Sequence, residues 1–137
     1  ISTFFFMEFV SWFTHKYIMH GFLWNLHKDH HQVDKTKILQ KNDYFFLIFA
    51  TPSMILIFLG YSDFNYLFYI GIGIALYGFA YFIVHEIIIH QRIKILKRID
   101  NKYIRAIRKA HKVHHKNINK EDGSSFGMLI VSRKYFK

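Results

Sequence analysis

The chain has 137 residues, one domain's worth, of which 52% are hydrophobic and 20% aromatic, a composition rich enough to make a membrane its expected solvent. It has no cysteine, which excludes disulfides, cysteine-ligated iron–sulfur clusters and thiolate-bound haem, so any electrons must come from a partner. The net charge of +10 would suit nucleic acid, but all 19 Lys and Arg residues lie either from Lys16 to Lys41 or from Arg92 to Lys137, a distribution in blocks that speaks for a membrane boundary instead.

In chain order, Ile1 to Thr14 is apolar apart from Glu8 and predicts the greater part of a membrane helix. The chain opens at Ile1 rather than Met, so this span is expected to extend upstream. His15 and His20 follow at its end. From Gly21 to Asp43 the chain is polar and basic, and Phe22, Leu23, Leu26, His27, His30 and His31 recur at helical spacing, predicting a short helix with apolar residues and histidines on one side. Tyr44 to Gly60 is free of charge and contains the single proline, Pro52, expected to kink it. After a short turn, Tyr61 to Asn65, the charge-free run Tyr66 to Val84 predicts a second span antiparallel to the first and delivers His85 and His90 at its far end. Ile93 to Lys116 predicts an amphipathic helix whose stripe of Leu96, Ile99, Tyr103 and Ile107 continues into His111 and His114, with Lys97, Arg98, Lys102, Arg105, Arg108 and Lys109 on the other faces. The final apolar stretch, Ser125 to Val131, is expected to pack under the histidines.

All ten histidines fall into two sets with the same spacings. Each set has a pair with four residues between, His15 and His20 or His85 and His90, and a triplet H-x-x-H-H: His27, His30 and His31, or His111, His114 and His115. At about 100° per helical residue the members of a triplet lie within roughly 100° of one another and are expected to converge on one point. The five-residue step of each pair is about 140° on an ideal helix, so the helix must end or distort there, or the two rings must flank a site. Ten imidazoles exceed the coordination of one ion and favour two metals with four or five nitrogens each; imidazole suits iron, zinc, copper and nickel alike.

His85-Glu86 is not the start of the zinc-protease pattern H-E-x-x-H, because the second histidine comes one place too late. Gly71, Gly73 and Gly78 miss the G-x-G-x-x-G spacing and lie inside a span, where close helix packing explains them. The turn at Asp63 has no Lys or Arg, whereas the opposite ends of both spans hold them all, so the positive-inside rule puts those ends, and both histidine sets, in the cytoplasm. The expectation is an all-α integral membrane protein: a single domain over residues 1–137 with spans at about 1–14, 44–60 and 66–84, forming a transmembrane helical bundle under a cytoplasmic histidine-rich helical cap. The basic helix face is a solvated surface under the positive-inside rule and can also dock an acidic electron donor.

Four stretches carry a resemblance: EFVSWFTHKYIMHGFLWNLHKDHH from Glu8, HEIIIHQR from His85, AHKVHHK from Ala110 and SFG from Ser125. Together they resemble the β-carotene hydroxylases of the non-haem di-iron type, within the membrane fatty acid hydroxylase and desaturase superfamily. The histidine pattern specifies the superfamily, and H-K-Y-I-M-H-G, L-W and H-x-D-H-H point to the carotenoid branch. Phe22 stands where members of the family usually carry proline, the tail beyond Gly127 is less familiar, and members tend to have one more membrane helix upstream. The resemblance implies two non-haem iron ions held by His15, His20, His27, His30, His31, His85, His90, His111, His114 and His115, with O2 as co-substrate and electrons from a ferredoxin or reductase. It implies hydroxylation at C3 of the β-ionone ring, taking β-carotene through β-cryptoxanthin to zeaxanthin. The substrate would come from the bilayer, with no nucleic acid partner, and the enzyme would sit in a bacterial cytoplasmic membrane. Alternatives on the same scaffold are a sterol or fatty acid hydroxylase or desaturase, or a carotenoid ketolase. A non-enzymatic alternative, a metal-binding or metal-transport membrane protein, would need ligands along a path through the spans.

Overall fold

The long charge-free runs become helices in the computed structural model, which describes residues 1–32, 39–93, 95, 99–121 and 123–137. Helix α1 (Ser2–Phe13) runs directly into a π-helical segment, Thr14–Phe22, and is followed by α2 (Trp24–His31). A 3-10 turn at Lys41–Asp43 leads into α3 (Tyr44–Gly60); α4 (Tyr66–Phe82) continues into a second π-helical segment, Ile83–Ile89. Helix α5 (Lys102–His115) and a 3-10 turn at Arg133–Phe136 complete the order. None of the described residues is in a β-strand.

Among the described residues two helical stretches, Lys41–Gly60 and Tyr66–Ile89, are long and apolar enough to cross a membrane. Joined by a five-residue turn, α3 and α4 pack side by side, with the Asn65 side chain capping α4 by accepting from the Leu67 amide at 2.9 Å. Glycine permits their approach: a Cβ on Gly71 would stand 2.8 Å from the Ile57 backbone nitrogen, and the Ser53 hydroxyl donates to the Gly71 carbonyl at 2.8 Å. Helix α1 lies on the other side of α4, where a Cβ on Gly73 would meet Thr3 at 2.6 Å and the rings of Phe4 and Tyr77 stand edge to face. Gly78, by contrast, faces nothing within 4 Å, so close packing accounts for the first two glycines but not for the third. Pro52 lies inside α3 without ending it. Phe5, Phe6 and Phe9 on α1, Phe46 and Phe58 on α3, and Phe79 on α4 are exposed on the outside of this three-helix sheaf, as surfaces solvated by lipid would be.

Helix α5 begins later than its periodicity predicts. Ile93 and Ile95 are outside any helix, Leu96, Lys97 and Arg98 lie outside the described residues, and Asn101 caps the first turn by accepting from the Ile104 amide at 2.9 Å. The buried stripe is correspondingly different: Ile104, Ile107, Ala110, His111 and His114 are buried, while Ile99 and Tyr103 are exposed. A cap fixes the helix register locally, and that register sends Ile104 rather than Tyr103 inward. Ile104 and Ile107 pack on Ile88 of the segment continuing α4, which anchors α5 across the basic end of the hairpin. Lys102, Arg105, Lys109, Lys112 and Lys116 are exposed.

Candidate metal centre

His15 and His20 fall in the first π-helical segment and His85 in the second, with His90 capping its end, and this resolves their spacing. A π-helix closes hydrogen bonds between residues five apart; here the Leu23 amide bonds the Ile18 carbonyl at 3.0 Å and the His90 amide bonds the His85 carbonyl at 2.9 Å. The helix widens where each pair sits, so the rings of His85 and His90 come within 4.5 Å of each other and those of His15 and His20 within 5.3 Å.

The ten imidazoles gather at one end of the helical sheaf, but not in their sequence sets. Ligating nitrogens of His15, His20, His27, His31 and His114 all lie within 4.8 Å of one another, as do those of His30, His85, His90 and His111. His115 is in neither set: its ring is 4.5 Å from His111, 4.7 Å from His30 and 4.9 Å from His90 of the second, and stacks 4.5 Å from His31 of the first. The triplets therefore do not converge on single points, as their spacing led us to expect; they divide. Positions i and i+4 differ by about 40° on a helix, whereas i+3 lies about 60° to the other side. His27 and His31 thus stay together while His30 crosses to the second group, and His111 and His115 stay together while His114 crosses to the first. With His115 counted beside His111, each group combines a five-residue pair, an i, i+4 pair and one histidine from the opposite half of the chain.

Around the two groups seven Nδ1 atoms point outward to acceptors. His15 donates to the Phe126 carbonyl at 3.0 Å, His20 to that of Lys120 at 3.1 Å, His31 to that of Asn117 at 2.8 Å and His114 to that of Ser124 at 2.8 Å. His27 donates to Asn42 Oδ1 at 2.6 Å, His30 to Gln40 Oε1 at 3.0 Å and His85 to Glu86 Oε1 at 2.5 Å. These bonds fix the proton on Nδ1 and turn the Nε2 lone pair inward. The Nε2 of His27 then faces those of His15 at 3.1 Å and His31 at 3.2 Å, that of His20 faces His114 at 3.3 Å, and that of His30 faces His85 at 3.2 Å. Lone pairs so opposed repel unless a cation stands between them, and nitrogens on a tetrahedral metal are about 3.3 Å apart. His115 Nε2 is buried with no hydrogen-bond partner, a further donor atom free for a cation. The donor set fits a metal ion in each group.

Burial, with neighbouring imidazoles adding to it, holds His15, His30 and His111 well below the ordinary histidine value. Burial lowers His20, His31 to about 4, His90 and His114 to about 3, and His27 and His115 to about 2. Lowered in this way, these nine rings favour the neutral state that a metal ligand requires.

Several residues that support the centre escaped the sequence reading. Asp29 accepts from the amides of Lys41 at 2.5 Å and Asn42 at 3.3 Å, fixing the turn that carries Gln40 and Asn42. Glu86 links His85 to Arg92, whose guanidinium also reaches Asp43, at 2.8 and 3.0 Å respectively. Glu86 follows a ligand candidate directly, a signal for a carboxylate–histidine pair that is lost when H-E is tested only as a protease motif. Glu8 is buried, 6% exposed. One of its oxygens accepts the amides of Met128, Leu129 and Ile130 at 2.9–3.0 Å, and the other the Tyr77 hydroxyl at 2.7 Å. That clamp presses the chain after Gly123 against α1 and α4, where Phe126 packs edge-on to His15, His20 and His114.

A family model described as fatty acid hydroxylase matches residues 1–132. The chain is 38% identical over 125 residues to the β-carotene hydroxylase of Pantoea ananas, covering 91% of this chain and 71% of that one. It is 33% identical over 132 residues to that of Paracoccus sp. (strain N81106 / MBIC 01143), covering 96% and 81%. It is 32% identical over 130 residues to the chloroplastic β-carotene 3-hydroxylase 1 of Arabidopsis thaliana, covering 90% of this chain and 40% of that protein. No solved structure gives a significant match.

Proposed function

This chain belongs to the fatty acid hydroxylase family, and we propose that within it the protein is a carotenoid 3-hydroxylase, converting β-carotene through β-cryptoxanthin to zeaxanthin. The observation that carries this reading is similarity over more than nine-tenths of the chain to bacterial proteins named β-carotene hydroxylase, supported by two histidine groups suited to metal ions. One oxygen atom of O2 enters the ring C–H bond and the other leaves as water, consuming two electrons and two protons.

His15, His20, His27, His31 and His114 would hold one ion, and His30, His85, His90 and His111, with His115 beside them, the other. An unactivated C–H bond needs an oxidant that no side chain supplies, and a pair of iron ions held there would supply the O2 activation. The protein's own part is to hold the ten rings in place, to keep water out of a site in which His27 and His114 are 1% and 0% exposed, and to orient ligands through the carbonyl, amide and carboxylate acceptors at Nδ1. Electrons arrive from a ferredoxin-type donor, for which the exposed cations of α5 form a complementary surface. The metal end faces the cytoplasm, in keeping with the absence of Lys and Arg from the sequence between Lys41 and Arg92, which holds the turn at the opposite end.

Expression in cells that accumulate β-carotene, with a competent electron donor, is expected to yield zeaxanthin with β-cryptoxanthin as intermediate. Unchanged β-carotene in the presence of folded, iron-loaded protein would overturn this reading, and a keto product would reassign the enzyme to ring oxidation at C4.

A further inference from the structure

A hydrocarbon has to reach these buried rings from lipid, and one cavity ends at their wall. It has a volume of about 560 Å³, within the ~300–1,000 Å³ of ligand sites. It lies between α1 and the segment that Glu8 clamps. Phe5, Phe9, Trp12 and Lys16 line one side; they step along a single face, about 16 Å by helical rise, from the exposed apolar part of α1 to the residue beside His15. Ile130 and Phe126 line the other side. Phe126 is the shared wall, its ring centred 5.4 Å from that of His15, 5.1 Å from His20 and 5.2 Å from His114.

Resting on the carotenoid reading above, we propose that this groove admits one end of the carotenoid from the bilayer and that Phe126 is the specificity-determining barrier that sets how closely the ring approaches the first histidine group. The polyene trails along Phe9 and Phe5 toward the hydrocarbon region, and the ring lies at the Trp12 and Phe126 end. An anionic phospholipid would want free cations at the polar end. The Lys16 ammonium instead lies over the Trp12 and Tyr17 rings, 5.4 and 4.9 Å from their centroids, and that of Lys134 lies 5.0 Å from the Tyr135 centroid. Those cations already rest on aromatic faces; of the other polar lining residues, Glu8 is engaged by Tyr77 and the amides of residues 128–130 and Ser125 by the Tyr135 hydroxyl, and apart from Ser132 the remainder is glycine, aliphatic or aromatic, which favours a flat hydrocarbon.

The absence of native cysteine allows a direct test with the full chain in membranes. Ile130→Cys places a single thiol in the groove, and Phe58→Cys places one on the exposed outside of α3. Modification of Ile130→Cys with a benzyl thiosulfonate reagent is expected to lower kcat/KM for β-carotene by about tenfold or more without loss of iron. Added β-carotene should slow that modification, and the modified Phe58→Cys enzyme should keep its rate. Phe126→Ala is expected to spread hydroxylation from C3 to neighbouring ring carbons at unchanged iron content, with Phe126→Leu restoring most of the C3 product. Undiminished turnover after modification at position 130, protection by phosphatidylglycerol vesicles but not by β-carotene, or C3 product alone from Phe126→Ala would each overturn the groove while the wild-type activity stands. Failure of the iron-loaded wild type on β-carotene would overturn the carotenoid reading and this proposal with it.

Discussion

His30 and His114 each serve the half of the chain they do not belong to, and this makes them the most informative single residues. Replacing His114 with alanine takes a nitrogen from the first group and His30→Ala takes one from the second. Each variant is expected to abolish hydroxylation and to lower bound metal from two ions toward about one per chain, measured by elemental analysis of purified protein. Retention of both ions by either variant would remove the two-metal assignment. Glu8 acts at one remove. Its carboxylate holds the amides of residues 128–130, and the same segment supplies the Phe126 and Ser124 carbonyls that orient His15 and His114. Glu8→Ala leaves four donors without their acceptor, of which the Met128 amide and the Tyr77 hydroxyl are buried, at about 1–3 kcal/mol for each buried one. A cost of about 3 kcal/mol or more is expected, read as a lower thermal midpoint in detergent, with metal lost first from the group containing His15 and His114.

At the scale of elements, the three apolar helices and the short histidine helix were legible from charge-free length and from the periodicity of His27 to His31. The π-helical segments were not, because a widened turn leaves no mark on residue type; the only trace was a five-residue histidine step that an ideal helix cannot accommodate. The exchange of ligands between groups was equally hidden, since the 60° offset of an i+3 position becomes decisive only when two centres lie side by side. The start of α5 was misjudged because Leu96 and Ile99 continue the apolar rhythm past the Asn101 cap, so rhythm and cap disagreed and the cap prevailed. Glycines in α4 offer a paired test of helix packing. Gly71→Ala forces a methyl against the Ile57 backbone at 2.8 Å and is expected to cost about 1–3 kcal/mol by wedging α3 from α4. Gly78→Ala meets nothing within 4 Å and is expected to be neutral or stabilising by up to about 1 kcal/mol. Equal thermal midpoints for the two variants would contradict the packing described for this hairpin.

For the molecule as a whole, two charge arrangements coexist at one end: a basic rim of Lys and Arg, and inside it ten imidazoles that must stay uncharged. The rim was legible in the sequence because charge is carried by residue type, whereas neutrality of the imidazoles depends on burial and on the carbonyls that hold Nδ1, which only the folded chain provides. A pH dependence with a definite sign follows. Burial holds His31 at about 4 and His90 and His114 at about 3, against about 6.5 for an exposed ring in the unfolded chain. As pH falls below 6.5 the unfolded chain takes up protons that the folded chain refuses, so it binds more protons and stability decreases with acidity. The loss continues until the folded rings themselves protonate, near 4 for His31 and near 3 for His90 and His114. Metal-free protein in detergent is therefore expected to keep a constant thermal midpoint above about pH 7 and to lose stability steadily between about pH 6.5 and 4. Metal binding by neutral imidazoles should deepen the slope, because protons then compete with the ions as well as with folding. A midpoint independent of pH across that window, with and without metal, would mean that these rings are already protonated or exposed in the folded protein, and the buried neutral arrangement would be wrong.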